Sequence, residues 1–321
     1  MRVHEVHLKS GISRTKAFER KRLASYAVNR GTMCGHGCLY CSTGAMMRMP
    51  RSFKETGEDP FGTGFAIIDP DTPLRVARDA LRKRERGLVQ ISTIVDAWSP
   101  EAQALNLGRR CLEVILSQPG WTVRILTKNA AVVLDFDLIK QHADRVLVSL
   151  SLTAAPAKEK LASVIEPHAS TISERMAALG DAHRQGLRTY GMLCPLMPGI
   201  ADSQEDIDEL VRFVVECGAE EIFAEALNSR GPGLKRMQEA LVLAGYEHEA
   251  AVVGSIRNRA TWFKYVVRLL ATVQGSVRRL YDIQKLRFLL YPSRLLPEHV
   301  AEIRKDDAGV IWLGKEERHG S

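Results

Sequence analysis

The sequence predicts an α/β fold: a parallel sheet, open or curled into a partial (β/α)6 barrel, with a helical C-terminal extension. Three observations predict it. Short apolar runs rich in β-branched residues alternate with segments of helical period between residues 74 and 227. Almost every apolar run ends in a polar or reactive side chain. Beyond residue 230 the alternation stops and helical periodicity dominates. Regular strand–helix alternation needs crossover connections, and these give parallel strands.

Taken in order, a basic N-terminal segment, 1–23, leads into a short strand near 24–28. A cysteine-bearing loop, 29–44, follows, and 50–73 reads as further loop. A helix over 74–86 precedes the strand 87–95, and a helix over 99–118 precedes 121–127. Helices over 130–142, 171–185 and 203–217 precede strands at 145–152, 187–194 and 220–227. With the strand near 24–28 this makes about six βα units, so the core spans 24–230. Residues 231–321 form the mainly helical extension, in which the tail "GVIWLGKEERHGS" adds one short strand and then frays.

Composition limits the function classes. With 45% hydrophobic and 26% charged residues the chain can bury a sizeable core. Its opening, "MRVHEVHLKSGISRTK", lacks an apolar secretory segment, and no run approaches the ~18 apolar residues of a membrane span. The expectation is a cytoplasmic protein without a membrane partner. In that reducing compartment clustered cysteines point to metal or catalysis before disulfides. Net charge is +7, but residues 1–30 and 255–294 together carry +14, leaving the rest near −7. Two basic segments on an acidic body suit a phosphate-bearing partner such as nucleic acid. The aromatics of "TWFKY" (261–265), set among cations, suit base stacking as well as a helix core.

In parallel α/β folds chemistry collects at the carboxyl ends of the strands. Those ends carry the cysteine loop, Ser92, Thr93 and Asp96, Thr127 and Lys128, Ser149 and Ser151, Cys194, and Asn228. The loop "NRGTMCGHGCLYC" places Cys34, Cys38 and Cys41 at C-x3-C-x2-C spacing, half of the six cysteines. Thiolates suit zinc or iron–sulfur clusters. Cys34, His36, Cys38 and Cys41 nominally supply four zinc ligands, although His36 lies closer to its neighbours than structural zinc ligands usually do. A 4Fe–4S cluster held by the three cysteines alone keeps one iron open, as a catalytic metal requires. Gly31, Gly35 and Gly37 let the backbone wrap closely around such a group.

C-x3-C-x2-C after a first strand, with Tyr40 before the third cysteine, resembles the radical S-adenosylmethionine (SAM) superfamily. "YAVNRGTMCGHGCLYC", "ILTKN", "VLVSLSL" with "IEPHASTISERMAAL", and "GLRTYGMLCPLMPGIAD" resemble, in order over about residues 6–228, the spore photoproduct lyase-like group. The resemblance implies a partial barrel of the radical SAM type and a 4Fe–4S cluster on Cys34, Cys38 and Cys41. It implies SAM bound through the open iron and cleaved reductively to a 5′-deoxyadenosyl radical, with a flavodoxin- or ferredoxin-like electron donor. It also implies that Tyr40 lies near the adenine, that Lys128 and Ser149 contact SAM, and that Arg175 orients the cofactor pocket.

The chain departs from that group at two places. The hydrogen-donating cysteine near the end of the second strand is replaced by Thr93, and Ser42 follows Cys41 where an aromatic is common. A hydroxyl hydrogen is much harder to abstract than a thiol hydrogen, so Thr93 cannot serve as that donor. Cys194, at the end of the fifth strand, is the candidate for a thiol donor or relay. Three readings follow: a radical SAM enzyme acting on nucleic acid, one acting on a small molecule, peptide or protein, or a non-enzymatic iron–sulfur or zinc protein that binds nucleic acid.

Overall fold

A computed structural model describes residues 2–43, 66–229, 232–292 and 295–314. Its strands are β1 (Val3–Glu5), β2 (Ser13–Arg14), β3 (Tyr26–Val28), β4 (Gly31–Met33), β5 (Ala66–Ile68), β6 (Leu88–Ile91), β7 (Thr122–Thr127), β8 (Val146–Leu150), β9 (Arg188–Leu196), β10 (Ala219–Ala226), β11 (Leu286–Leu290) and β12 (Val310–Trp312). Nine strands form one sheet in the order β12-β11-β10-β9-β8-β7-β6-β3-β2. Within it β3, β6, β7, β8, β9 and β10 are parallel neighbours in chain order, which is the predicted (β/α)6 core. A small sheet, β1-β5-β4, braces the start of the cysteine loop.

The helices form where local chemistry supports them. Ile172–Arg184 starts at a capping box of Thr171 and Glu174, and Gln204–Glu216 at Ser203, whose hydroxyl accepts from the Asp206 amide. The expected helix 99–118 is broken at Asn106, which adopts φ of 51°, into Pro100–Ala104 and Leu107–Leu116. The segment read as helix over 130–142 opens as a 3₁₀ turn, Ala130–Asp135, before Phe136–Lys140. Most of the stretch read as loop, 50–65, lies outside the described residues, while 66–68 form β5.

Alternation along each strand divides the interior in two. Val123, Ile125, Val146, Val148, Ile222 and Phe288 pack outward in the large core shared with the helices. Leu147, Tyr190, Met192, Phe223, Leu289 and Ile311 form a second cluster, completed by Leu23 from the N-terminal segment. That segment is therefore woven into the core and is not simply a basic surface arm. Ile12 and Leu23 are almost fully buried, and Lys21 reaches Glu225 on β10.

The last third also differs from its sequence reading. Residues 286–290, expected to be helical, form β11, which extends the sheet in parallel beside β10, and β12 follows as expected. Arg259–Leu280 ends ahead of Asp282, which caps a short 3₁₀ turn and redirects the chain into the run Leu-Arg-Phe-Leu-Leu. The fraying expected of the tail falls on 315–321, outside the described residues. The aromatics of Arg259–Leu280 are core residues and offer no stacking surface. Trp262, Phe263 and Tyr265 are buried, with the Trp262 indole donating to the Leu227 carbonyl and the Tyr265 hydroxyl to that of Leu196. Three cations of the same helix pair with the body, Arg268 with Asp202, Arg278 with Asp306 and Arg279 with Asp208, each at 2.6 Å.

Candidate active site

The cysteine loop leaves β4 at the carboxyl end of the parallel sheet and is strung on buried hydrogen bonds. Gly31 allows β4 to approach β5 so closely that a Cβ would lie 2.0 Å from the Ile67 carbonyl oxygen. Gly37 takes φ of 64°, a left-handed turn that suits glycine. Arg30, fully buried, donates to the Asp96 carbonyl at 2.8 Å and pairs with Glu101, and Glu101 accepts the Gly35 amide at 3.0 Å. Asn29 accepts from the amides of Ile94 and Val95 at 2.8 and 3.2 Å and donates to Thr93 at 2.7 Å.

Asp96 ties this loop to β7. One carboxylate oxygen meets His36 Nε2 at 2.8 Å, the Thr127 hydroxyl at 2.9 Å and the Lys128 amide at 2.8 Å; the other accepts the Trp98 amide at 2.9 Å. Burial opposes its ionisation, but His36 and the amides hold its carboxyl down to about 2. The loop carrying Asp96 begins at Ser92, a non-glycine residue with φ of 72°. Backbone strain of this kind persists where the surroundings fix it.

His36 has both ring nitrogens engaged, Nε2 by Asp96 and Nδ1 by the His168 carbonyl at 3.2 Å. With His36 held at both nitrogens, the three cysteines remain as the donors of the loop, and three thiolates suit an iron–sulfur cubane with one iron left open better than a closed four-ligand zinc site. Burial pushes the Cys34 thiol up to about 12 and the Cys38 thiol well above its ordinary range, so thiolates here call for a cationic partner.

Facing the loop, two of the expected cofactor residues, Tyr40 and Arg175, converge on a residue given no role from the sequence, Glu166. Tyr40 donates its hydroxyl to Glu166, Arg175 pairs with it, and Thr153 donates to it at 3.1 Å. Arg175 also donates to the carbonyls of Ser170 and Ser151 at 2.8 and 3.0 Å. Lys128 Nζ lies 5.9 Å from the Tyr40 ring centre. Burial disfavours the Glu166 charge, yet Arg175 and Lys128 hold its carboxyl below the usual range. Burial likewise opposes the Lys128 charge, and Glu166 and Cys38 outweigh it. Ser149 is not part of this group: it is fully buried, and its hydroxyl turns toward the Leu150 carbonyl at 3.5 Å.

Across the mouth, Cys194 stands on the inward face of β9, before a cis peptide bond to Pro195. Its sulfur lies 3.9 Å from Glu225, and burial and that carboxylate push the thiol up to about 12. All six cysteines are free. Glu166 lies within the motif "IEPHAS", but its role depends on Tyr40, 126 residues away.

No family model matches the chain. An uncharacterized protein of Acidianus two-tailed virus is 27% identical over 223 residues, covering 67% of this chain and 71% of its own length. An uncharacterized protein of Mycobacterium tuberculosis is 26% identical over 232 residues, 71% of this chain and 66% of its own. Spore photoproduct lyase complexed with dinucleoside spore photoproduct matches with a TM-score of 0.51 and 15% identity, over 74% of this chain and 66% of that one. A point variant of the same enzyme matches with a TM-score of 0.51 and 16% identity, over 74% and 65%. The chain thus spans just under two thirds of the mycobacterial relative and of spore photoproduct lyase. The likeness inferred from the motifs holds at the level of fold, a partial barrel of the radical SAM type.

Proposed function

We infer that the chain is a radical SAM enzyme acting on nucleic acid, in lesion repair or base modification. The observation that carries the radical SAM reading is a three-cysteine loop at the mouth of this barrel, faced by a charged lysine, Lys128, just past the end of β7. Cys34, Cys38 and Cys41 would hold a 4Fe–4S cluster. Lys128, kept protonated by Glu166, would pair with the SAM carboxylate. Tyr40, fixed by its hydrogen bond to Glu166, would border the adenine, and Arg175 would keep Glu166 ionised and in place. Bound together, cluster and SAM supply one-electron reduction and carbon-radical hydrogen abstraction. Asp96 and Arg30 fix the loop against β7, so the geometry is set before the cofactor arrives.

Cys194 is the chain's own candidate for returning a hydrogen atom. Its S–H bond breaks homolytically, the hydrogen forms a C–H bond on the product radical, and a thiyl remains. An electron from a reducing flavodoxin- or ferredoxin-like partner, with a proton from solvent, restores the thiol. Thr93, bound to Asn29, has no such chemistry.

A second reading, a small-molecule, peptide or protein substrate, draws on the paired cations of the helix Arg259–Leu280, which shrink the phosphate-binding footprint. The reconstituted protein with SAM and dithionite separates the two. Stimulation of 5′-deoxyadenosine formation by DNA or RNA supports the nucleic-acid reading; no stimulation by either contradicts it.

A further inference from the structure

Opposite the Tyr40–Glu166–Lys128 group lies a second charged pair that the proposed radical initiation does not use. Lys21 Nζ sits 3.1 Å from Glu225 Oε2, with side chains 17% and 21% exposed. The two come from distant parts of the chain, the N-terminal segment and β10, and meet beside the Cys194 sulfur. Lys21 also lies 5.6 Å from the Phe18 ring centre and 5.7 Å from that of Tyr291, and both rings are partly exposed. A mostly buried ion pair contributes little to stability compared with apolar residues of similar size. Its position in the catalytic mouth gives it another use.

The chemistry of the pair specifies what it would bind. The charges cancel, so the site favours a neutral polar group over a free anion. Of the three N–H donors of the Lys21 ammonium, Glu225 and the Tyr291 hydroxyl engage two and one is left, and Glu225 keeps its second oxygen as an acceptor. A donor and an acceptor side by side complement an edge that presents a carbonyl next to an N–H. Two flanking rings favour a flat, partly apolar body, as in pockets that receive a base removed from its stack. We propose that Lys21, Glu225, Phe18 and Tyr291 form the substrate-recognition site, taking the lactam edge (O=C–N–H) of a planar heterocycle beside Cys194. On the nucleic-acid reading above, on which this assignment builds, that heterocycle is a nucleobase with an N–H beside a carbonyl.

The test is equilibrium binding to the reconstituted protein in the presence of SAM. The probes are dithymidine monophosphate and its N3-methylated counterpart and, outside nucleic acid, a cyclic dipeptide and its N-methylated form. Methylation removes the donor to Glu225 and leaves that carboxylate facing a methyl group, so affinity is expected to fall about 10- to 100-fold. In Glu225→Gln, which replaces an acceptor-only group by a mixed one, and in Lys21→Met, the discrimination should shrink to a few-fold at most. Cluster absorbance and iron content report whether each variant is folded. Equal binding of parent and methylated probes, failure of every lactam probe to bind, or discrimination that persists in Glu225→Gln overturns the assignment. Discrimination by the cyclic dipeptide without binding of the dinucleotide would retain the lactam site and remove the nucleic-acid reading.

Discussion

The two sides of the barrel mouth are built differently. On the cysteine-loop side, Arg30, Asp96, Glu166 and Arg175 are almost fully buried and joined by hydrogen bonds from several elements. On the β9–β10 side, Lys21, Glu225 and Cys194 are partly exposed and more loosely tied to one another. The first arrangement resists displacement and suits a cofactor whose geometry must not vary. The second leaves donor and acceptor capacity open and suits a ligand that comes and goes. On the proposed function, the first is where the reaction would start and the second where its substrate would be chosen.

The largest expected effect tests the first side directly. Replacing Cys34, Cys38 or Cys41 by Ala should abolish cluster loading, read as iron content and visible absorbance. Retained iron in any single variant would break the division. Next, Arg175→Met removes the ion-pair partner of buried Glu166, leaving only the more distant charge of Lys128, and should cost about 3–5 kcal/mol in denaturant unfolding. A loss under about 1 kcal/mol would show that Glu166 does not depend on that partner.

Asp96 gives the same side a pH signature. Its folded carboxyl is held down to about 2, below its unfolded value near 3.8. The stabilisation is therefore fully present above about pH 4 and is lost as pH falls toward 2. In metal-free protein, the stability gap between wild type and Asp96→Asn should shrink by about 2 kcal/mol between pH 6 and the lowest pH at which both still fold. A gap independent of pH would remove the ionised carboxylate from the account.

On the substrate side, Cys194→Ala should lower product yield per 5′-deoxyadenosine about tenfold or more, and an unchanged yield would remove the thiol from the donor role. Smallest is the effect of the surface cations. Neutralising Arg257, Arg259 and Lys264 together should weaken nucleic-acid binding several-fold and lower its salt slope by about one for each phosphate no longer neutralised. An unchanged slope would place the phosphate-binding cations elsewhere.

The cysteine-loop side is largely legible in the sequence because its signals are local. Cysteine spacing, a strand ending in Thr-Lys, and the runs that form β3, β6, β7, β8, β9 and β10 can all be read within short windows. What stays hidden depends on pairing across the chain. Lys21 stands in the run Arg-Lys-Arg, which reads as surface charge, and it is drawn inward by Glu225, 204 residues away. β11 hides in a helical pattern because five residues of mixed polarity carry no clear period. Ser149 has the inward register expected of it, but what covers a hydroxyl is decided by packing and not by alternation.

The central claim is that the three-cysteine loop holds a redox-active cluster that works with SAM. Anaerobic reconstitution with iron and sulfide, followed by dithionite and SAM, tests it most directly. The expected result is about four irons per chain and 5′-deoxyadenosine formation that disappears when any of Cys34, Cys38 or Cys41 is replaced. Stoichiometric zinc in place of iron, or a loaded cluster that yields no 5′-deoxyadenosine, would contradict it.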